Sequence, residues 1–364
     1  MSSKFGLNVM DFGAKGDGVA DDTPAIQAAI DAVAQRGGGR ILFPFTPEGY
    51  RLASPGRELS RDGRPLRAQL ELPQGDANVL LEGEMPCRLL NAYIVRPRTS
   101  APIFKPTRFG TLRRNNTRLF STWEAPEEHK AEARPWSMLA APEGDSCKGH
   151  FSVSCVSIAN LEWQVHLDHG RMYPTQSAVN LQNVSRVHVS HSQFCLDDNI
   201  GDTDLGLELQ PNPCHTVGLM TSGDQNDDNT LTNVAAQGFR YGFVLGEHVV
   251  ADYLYVHNCE QGVVFHDSSH ITSIAHITAQ HNRMILATTT ERLFGHEKGP
   301  CAVTVGTLNF ESGTGLLPAV SARQYGVYDP ENRLVGDLRW HQPWGEQVFP
   351  VKGAAHFRIT HFGD

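Results

Sequence analysis

The chain has 364 residues, 40% of them hydrophobic and 20% charged, so it can bury a sizeable core and is not expected to be disordered. Its net charge of −9 at pH 7 argues against nucleic acid or an anionic membrane as the main partner, because little here would neutralise phosphates. No stretch approaches the roughly twenty apolar residues of a membrane span.

The segment 8–52 predicts a turn, a helix and a strand, in that order. Asp22 or Thr23 is a good N-cap, and Pro24 stands in the first turn, where its missing N–H costs nothing. Residues 41–45 then predict a strand. Between Pro24 and this strand, four apolar residues at helical spacing predict the helix, and three glycines end it: Ile26, Ala29, Ile30 and Val33, then Gly37, Gly38 and Gly39.

This segment resembles a known signature. The run VMDFGAKGDGVADDTPAIQAAIDA, continued by GGGRILFPFTPEGYRL, is similar to the opening of the pectate-lyase-like superfamily. That superfamily includes polygalacturonase-like glycoside hydrolases, polysaccharide lyases, alginate epimerases and phage tailspike depolymerases. The resemblance implies an all-β, single-stranded right-handed parallel β-helix with a short N-terminal capping α-helix. It is specific for the fold and not for the reaction.

The helix has two interpretations. A solenoid exposes the apolar end of its core, and an amphipathic helix before the first coils is expected to cover it. The alternative is that acidic residues of the segment bind a metal or take part in catalysis, namely Asp17, Asp21 and Asp22.

Internal repetition supports the same fold without the resemblance. Strand-like runs start at residues 217, 241 and 261, which are 24 and 20 residues apart, the length of one β-helix coil. Each run is short and breaks at Gly, Asn or Asp. A second series has a similar spacing, 22 and 21 residues: 231–234, 253–259 and 274–277.

No linker divides the chain, so we expect one domain over residues 1–364. Residues 1–52 would form the cap and first strands, and 53–320 the coils. An insertion is expected near 105–150, and 321–364 would cover the C-terminal end. The seven cysteines lack CxxC spacing and are interpreted as buried free thiols. With no secretory signal visible, a cytoplasmic location is expected, and secretion stays open if the N-terminus has been trimmed.

Polar residues follow three of the recurring strands at the same point of the coil. Because equivalent positions of successive coils stack at about 4.8 Å, these segments (223–229, 246–248 and 266–270) are expected to meet at one corner. The predicted catalytic residues there are Asp224, Asp228, Glu247, Asp267, His248 and His266. Substrate-binding residues are predicted from the same surroundings: Asp227, Arg240, Tyr241 and His270.

Glycoside hydrolysis generally needs two carboxyl groups, about 5 Å apart for retention and about 6.5–9.5 Å apart for inversion. Adjacent coils offer the first spacing, and one skipped coil offers about the second. The preferred pair is Asp224 or Asp228 with Glu247 or Asp267, assisted by His248 or His266. The alternative is structural, because Asp and Asn favour the turns of such coils.

A second acidic patch spans residues 197–204, where Asp197 and Asp198 are further candidates for substrate contact. The pair resembles the aspartates of polygalacturonase-like hydrolases, but the Asn-Thr-Asp, Gly-His-Gly and Arg-Ile-Lys motifs of that family are missing. The patch could instead bind Ca²⁺ or be a solvated loop. No other cofactor or metal is predicted. The Asp-Pro-His motif of alginate epimerases is absent after Tyr241-Gly242-Phe243, so epimerisation is not expected.

The sequence therefore leaves three hypotheses about function. The first is a hydrolase that acts on a polysaccharide or oligosaccharide through a carboxyl pair. The second is a lyase that acts on a uronic-acid glycan. The third is a noncatalytic glycan-binding or assembly protein. Related β-helices often trimerise side by side, which makes a homotrimer a candidate assembly. The remaining histidines are interpreted as satisfied core or surface residues: His166, His169, His188, His191, His257, His276 and His281.

Overall fold

The computed structural model describes most of the coils and one capping helix. The described residues are 6–61, 64–84, 117–124, 126, 135–142, 152–165, 176–182, 184–196, 216–221, 228–246, 248–265, 271–280, 282, 284–288, 302–311, 319–320, 324–328, 334–339 and 356–361. No helix among them is long and apolar enough to cross a membrane.

The chain begins with the predicted cap. Strand β1 (Leu7–Asn8), a 3-10 turn (Val9–Phe12) and β2 (Asp17–Asp21) lead into α1 (Thr23–Gln35). One face of α1 is fully buried against the first coils, and it consists of the four residues predicted from helical spacing: Ile26, Ala29, Ile30 and Val33. The capping interpretation of the helix is confirmed.

The acidic residues before α1 hold the backbone together. Asp22 is 1% exposed, and its carboxylate accepts N–H groups from Lys15 at 2.6 Å, Gly16 at 3.1 Å and Arg51 at 3.3 Å. Asp22 stands at the N-cap position, but its side chain makes no capping hydrogen bond to the helix. The prediction of Asp22 as the N-cap residue is confirmed, but its carboxylate is bound by the preceding turn and not by the first turn of the helix.

Asp21 takes over the capping bond. Its Oδ1 accepts the backbone N–H and the hydroxyl of Thr23, at 3.1 and 2.6 Å, and the backbone N–H of Ala53 at 2.9 Å. The hydroxyl of Ser54 donates to the other oxygen. Burial on its own would raise the pKa of Asp21, but these hydrogen bonds outweigh burial and hold the pKa below its usual value. Within the described residues, the hydrogen bonds of Asp21 and Asp22 hold the cap together.

Among the described residues eight coils follow, each built from two to four strands. The first has β3 (Gly38–Phe43), β4 (Gly49–Leu52), β5 (Arg57–Arg61) and β6 (Arg64–Glu71); the second has β7 (Gly75–Gly83), β8 (Thr117–Ser121) and β9 (Trp136–Ala140); the third has β10 (Val153–Ala159), β11 (Leu161–Val165) and β12 (Gln176–Leu181); the fourth has β13 (Val184–Ser190), β14 (Gln193–Leu196) and β15 (Thr216–Thr221).

From the sixth coil onward, the first two strands of each coil merge into one. The fifth has β16 (Asp228–Thr232), β17 (Val234–Gln237) and β18 (Tyr241–Leu245); the sixth has β19 (Val249–His257) and β20 (Gln261–Phe265); the seventh has β21 (Ile271–Gln280) and β22 (Met284–Thr288); the eighth has β23 (Ala302–Glu311) and β24 (Ala319–Val320).

The strands stack into three parallel walls. Wall A contains the first strand of each coil, wall B the second, and wall C the strand that closes the coil; β19, β21 and β23 each run through walls A and B. Walls A and B belong to one sheet and wall C to another. This architecture is the predicted right-handed parallel β-helix.

Pairing in wall C confirms the repeat found in the sequence. Val217 pairs with Tyr241, and Tyr241 pairs with Gln261 in the next coil. A column of glycines, Gly218, Gly242 and Gly262, runs beside them. A Cβ on Gly242 would lie 2.5 Å from the carbonyl oxygen of Gly262, so the coils approach closely here.

Walls A and B meet at single residues in the left-handed region. Asn160, His191 and Asn233 have φ of 56°, 48° and 52° and join the two walls in the third, fourth and fifth coils. Asparagine tolerates this conformation better than most residues. The recurrent Asn therefore marks a bend of the coil.

The core lies inside the coils, and wall C is buried on both faces. Inward residues such as Leu219 and Phe243 join the main core, while outward residues such as Met220, Val244 and Val264 form a second buried cluster. Burying an apolar side chain of this size stabilises the fold by roughly 1.5–3 kcal/mol.

The region expected to be an insertion, 105–150, and the strands after the eighth coil complete the description of the fold. The expected insertion near 105–150 is not one protruding segment, because β8 and β9 lie within it and pair with their neighbours in walls B and C. Beyond the eighth coil, β25 (Gln324–Tyr328), β26 (Leu334–Arg339) and β27 (His356–His361) pair antiparallel, and β27 also pairs with β23.

Three cysteines lie among the described residues, and all three are free thiols. Cys195 and Cys259 are buried and Cys155 is half-buried. Burial raises the pKa of Cys259 to about 12, so this thiol is protonated at neutral pH. Buried free thiols were the prediction, and two of these three fit it fully.

Candidate functional site

The corner between walls C and A is stacked as the sequence predicted. Met220, Val244 and Val264 are in register near the ends of β15, β18 and β20. Just beyond, the Gly246 N–H donates to the Thr221 hydroxyl at 3.0 Å, and the Thr272 hydroxyl donates to the Gly246 carbonyl at 3.2 Å. These strands therefore end at the same place in successive coils.

Most of the predicted side chains at this corner lie outside the described residues. These are Asp224, Asp227, Glu247, His266, Asp267 and His270, together with Asp197 and Asp198 of the second acidic patch. Their roles stay predictions. Asp228, His248, Arg240 and Tyr241 are described.

Asp228 and His248 occupy neighbouring coils. Asp228 is exposed and is the first residue of β16. Asn229 pairs with Val249, and the Asn229 N–H donates to the His248 carbonyl at 3.2 Å. This register places Asp228 beside His248, about 4.8 Å away along the coil axis. His248 is half-buried, and its φ of 52° fixes the backbone in a conformation rare for histidine.

The column continues through two more coils. Asp228 pairs with Arg186, and Arg186 pairs with Cys155. Burial raises the pKa of Cys155; a hydrogen bond with Ser157 and the charge of Arg186 oppose that rise, and the charge of Asp228 adds to it. A thiol, a guanidinium, a carboxylate and an imidazole thus follow one another along one line.

These groups have complementary chemistry. A carboxylate and an imidazole can each transfer protons in a transition state. A guanidinium can pair with a sugar carboxylate. On the same wall, His188 Nδ1 lies 2.6 Å from the hydroxyl of Thr230, so this histidine is satisfied, as the sequence suggested.

Arg240 and Tyr241 do not lie at this corner. Tyr241 is the first residue of β18, and the corner follows Leu245, four residues later, which is roughly 13 Å along a strand. Tyr241 is only 1% exposed, and Arg240 lies over its ring at 5.3 Å while its Nε is 3.5 Å from Glu260. Placing both residues near the corner was wrong, because they begin the strand whose end forms it.

Sequence reasoning also missed a group on the outer face of wall B. The rings of Tyr253 and His276 stack across two coils at 5.4 Å, and those of Tyr255 and His257 stack at 6.1 Å. The Tyr255 hydroxyl donates to the side-chain oxygen of Gln280. The only signal in the sequence was the alternation of Tyr253, Tyr255 and His257, which is also typical of an ordinary half-buried strand.

Among the described residues, no group of three or more His, Cys, Asp or Glu could hold a metal ion. The acidic patch considered for Ca²⁺ is not among them.

The strand pairing defines a right-handed parallel β-helix protein. Within that class, residues 6–54 match the family described as rhamnogalacturonase A/epimerase, pectate lyase-like. The match covers the cap and the start of the first coil, and it does not reach the candidate corner.

Similarity to curated proteins is also confined to short segments. Forty-nine residues are 57% identical to mannuronan C5-epimerase AlgE6 of Azotobacter vinelandii, covering 14% of this chain and 5% of that protein. Thirty-seven residues are 68% identical to alginate lyase 7 of the same organism, covering 10% and 4%. Thirty-nine residues are 62% identical to plasmin and fibronectin-binding protein A of Streptococcus pneumoniae, covering 10% and 5%.

Among solved structures, the tailspike of E. coli bacteriophage HK620 is similar over 84% of this chain and 57% of that one, with 12% identity and a TM-score of 0.39. The A-module of AlgE6 is similar over 84% and 88%, with 15% identity and a TM-score of 0.22. Likenesses of this size add nothing to the strand pairing described above.

Proposed function

We propose that this protein is a carbohydrate-active enzyme that cleaves a polysaccharide at the corner between walls C and A. The supporting observation is the register that puts Asp228 beside His248, with Arg186 one coil further along. An exposed carboxylate next to an imidazole supplies the acid and base functions that glycan cleavage needs.

Our preferred reaction is hydrolysis. Asp228 would be one carboxyl of the pair, and the predicted residues Asp224, Glu247 and Asp267 are the candidates for the other. Asp228 and a carboxyl of the next coil would suit retention, whereas one skipped coil would suit inversion. Two carboxyl groups so close would raise the pKa of one and keep it protonated.

Lyase action is the second candidate. The observation that favours it is Arg186, an exposed guanidinium directly beside Asp228. It could neutralise the carboxylate of a uronic acid and make the neighbouring carbon acidic, while His248 accepts the proton. The printed names of two relatives, an alginate lyase and a mannuronan epimerase, point to the same substrate class.

One assay distinguishes the two reactions. The protein is incubated with neutral and uronic-acid polysaccharides, and both reducing ends and the ultraviolet absorbance of unsaturated sugars are measured. Hydrolysis gives reducing ends alone, and elimination gives both signals. If the protein releases neither from any polymer, the proposal of an enzyme is wrong.

The variant Asp228→Asn tests the corner. Because loss of an acid or base group typically costs about 10²–10⁴-fold in rate, we expect kcat to fall by at least that lower figure. The control is Asp76→Asn, which changes an exposed aspartate at the same corner three coils away, roughly 14 Å along the axis. Equal activity of wild type and Asp228→Asn would exclude this carboxylate.

A further inference from the structure

The turn between the fifth and sixth coils is bound from both sides by threonine side chains. We call this turn, residues 246–248, the corner turn. The Gly246 N–H donates to the hydroxyl of Thr221, in the fourth coil, at 3.0 Å. The Gly246 carbonyl accepts the hydroxyl of Thr272, in the seventh coil, at 3.2 Å. The two threonines thus tie the corner turn to the coils on either side of it.

These two hydroxyls lie inside the molecule. Thr221 is 2% exposed, Thr272 is 0% exposed, and Gly246 between them is buried. Thr221 pairs with Leu181, a core residue of the preceding coil, so a hydroxyl stands in a column that is otherwise suited to apolar side chains. A polymer on the outer surface can touch neither threonine hydroxyl. Any influence of these residues on a ligand must therefore pass through the backbone of the corner turn.

The corner turn ends in a backbone conformation that needs support. His248 has a φ of 52°, and its carbonyl accepts the Asn229 N–H at 3.2 Å. A residue other than glycine keeps a positive φ only where the surrounding structure holds it there. The hydrogen bonds at Gly246 and at the His248 carbonyl hold both ends of the turn, and so they support this conformation.

The backbone of His248 decides where its imidazole can point, because the available rotamers depend on φ and ψ. Asp228 is exposed, and the register places it beside His248 on the neighbouring coil. Proton transfer requires that such groups keep their geometry, and a displacement of about 1 Å can lower a rate about 10²-fold. A change in the corner turn would therefore alter this pair without removing either side chain.

We propose that Thr221 and Thr272 are positioning residues, which fix the imidazole of His248 for proton transfer at the candidate corner by holding Gly246 from two coils. The inference rests on the proposed function as far as the reaction is concerned. The fixed position of His248, however, can be measured without any substrate.

Valine variants remove each hydroxyl at nearly constant shape. Thr272→Val leaves the Gly246 carbonyl without this donor, and Thr221→Val leaves the Gly246 N–H without this acceptor. Both variants release the same residue from opposite sides, so either of them alone tests the proposal if the other fails to fold. Thr272→Ser keeps the hydroxyl and should restore the behaviour of wild type.

The matched control is Thr117→Val. Thr117 is 0% exposed, and its hydroxyl donates to the backbone carbonyl of Glu84 at 2.9 Å, as that of Thr272 does to Gly246. It begins β8 in the second coil, three coils or more from the corner turn, which is roughly 14 Å along the axis. We expect Thr117→Val and Thr272→Val to lower the Tm by similar amounts, because each removes a hydroxyl donor from a backbone carbonyl.

The position of His248 is measured by NMR on protein with isotopically labelled histidine rings. The His248 ring signal is assigned by its absence from His248→Gln. We expect this signal to be single in wild type, Thr272→Ser and Thr117→Val, and to be shifted, broadened or doubled in Thr272→Val and Thr221→Val. An unchanged signal in Thr272→Val or in Thr221→Val would overturn the proposal for that threonine.

Kinetics on a cleaved polymer separate positioning from binding. Because neither hydroxyl can reach the polymer, we expect Thr272→Val and Thr221→Val to lower kcat about 10- to 100-fold with little change in KM. Thr117→Val and Thr272→Ser should keep the kcat of wild type. A higher KM at constant kcat, or an equal loss of kcat in Thr117→Val, would contradict a positioning role.

Failure of the positioning role is distinguishable from failure of the cleavage proposal. Cleavage that depends on Asp228, with wild-type kcat in Thr272→Val and Thr221→Val, rejects the positioning role alone. A His248 signal that changes in these two variants, with no polymer cleaved by wild type, rejects the enzyme and keeps the role of the threonines in fixing His248.

Discussion

Two aspartates of this molecule, Asp22 in the cap and Asp228 at the corner, have opposite surroundings. Asp22 is buried, and three backbone N–H groups bind its carboxylate. Asp228 is exposed at the start of a strand, with an imidazole and a guanidinium on the neighbouring coils. The carboxylate of Asp22 binds backbone N–H groups of the cap, whereas the carboxylate of Asp228 is exposed to solvent and accessible to a ligand.

The comparison explains where similarity to other proteins lies. The matched segment 6–54 contains Asp22 and the backbone groups that it binds, which hold the cap of this chain together. Relatives with catalytic names and one named for binding plasmin and fibronectin share short stretches of similar length. Similarity of the cap therefore identifies the fold, and function must be sought in the coils.

The strongest test of this contrast is loss of each carboxylate in turn. Asp22→Ala leaves three backbone N–H groups without their acceptor. Because a buried donor without a hydrogen-bond partner costs about 1–3 kcal/mol, we expect the free energy of unfolding to fall by about 3 kcal/mol or more. Asp228→Ala removes an exposed side chain and should stay within about 0.5 kcal/mol of wild type. Urea denaturation followed by circular dichroism measures both. Similar losses for the two variants would contradict the contrast.

A second test moves from the cap to the coils themselves. A Cβ on Gly242 or Gly218 would lie 2.5 Å from a backbone oxygen of the next coil, whereas on Gly262 it would lie 2.9 Å from a methyl of Val256 and 3.0 Å from the carbonyl oxygen of Ile285 in the next coil. Overpacking of this kind costs about 1–3 kcal/mol. We therefore expect Gly242→Ala and Gly218→Ala to lower the Tm more than Gly262→Ala. If Gly262→Ala lowered the Tm most, the close approach of successive coils would not be the reason for glycine at these positions.

The sequence predicted the fold well because its signals are periodic. Turn glycines, a helix of 3.6-residue period and strands recurring at coil length all agree with one architecture. Composition was a poorer guide. The charged stretch 105–150 suggested one insertion, yet two short strands, Thr117–Ser121 and Trp136–Ala140, belong to the coils.

The candidate site was predicted less completely, because side-chain partners depend on register. Alignment of strand ends correctly put Asp228 and His248 on neighbouring coils. It could not show that Tyr241 begins its strand at the opposite end from the corner. The stack of Tyr253 on His276 joins residues 23 positions apart and becomes visible only once β19 and β21 are paired.

The smallest expected effect concerns Asp21, whose pKa is held below its usual value by hydrogen bonds from Ser54, Thr23 and Ala53 despite partial burial. A depressed pKa in the folded state stabilises the protein above the pKa of the unfolded chain, about 3.9, and this stabilisation disappears as pH falls through the folded value. We expect wild type to have a higher Tm than Asp21→Asn at pH 6, and the two Tm values to converge below about pH 4. Asp11→Asn, at an exposed position of the same segment, reports the general effect of removing one negative charge. If the difference between wild type and Asp21→Asn stays constant from pH 6 to about pH 3, the carboxylate of Asp21 does not stabilise the cap through its charge.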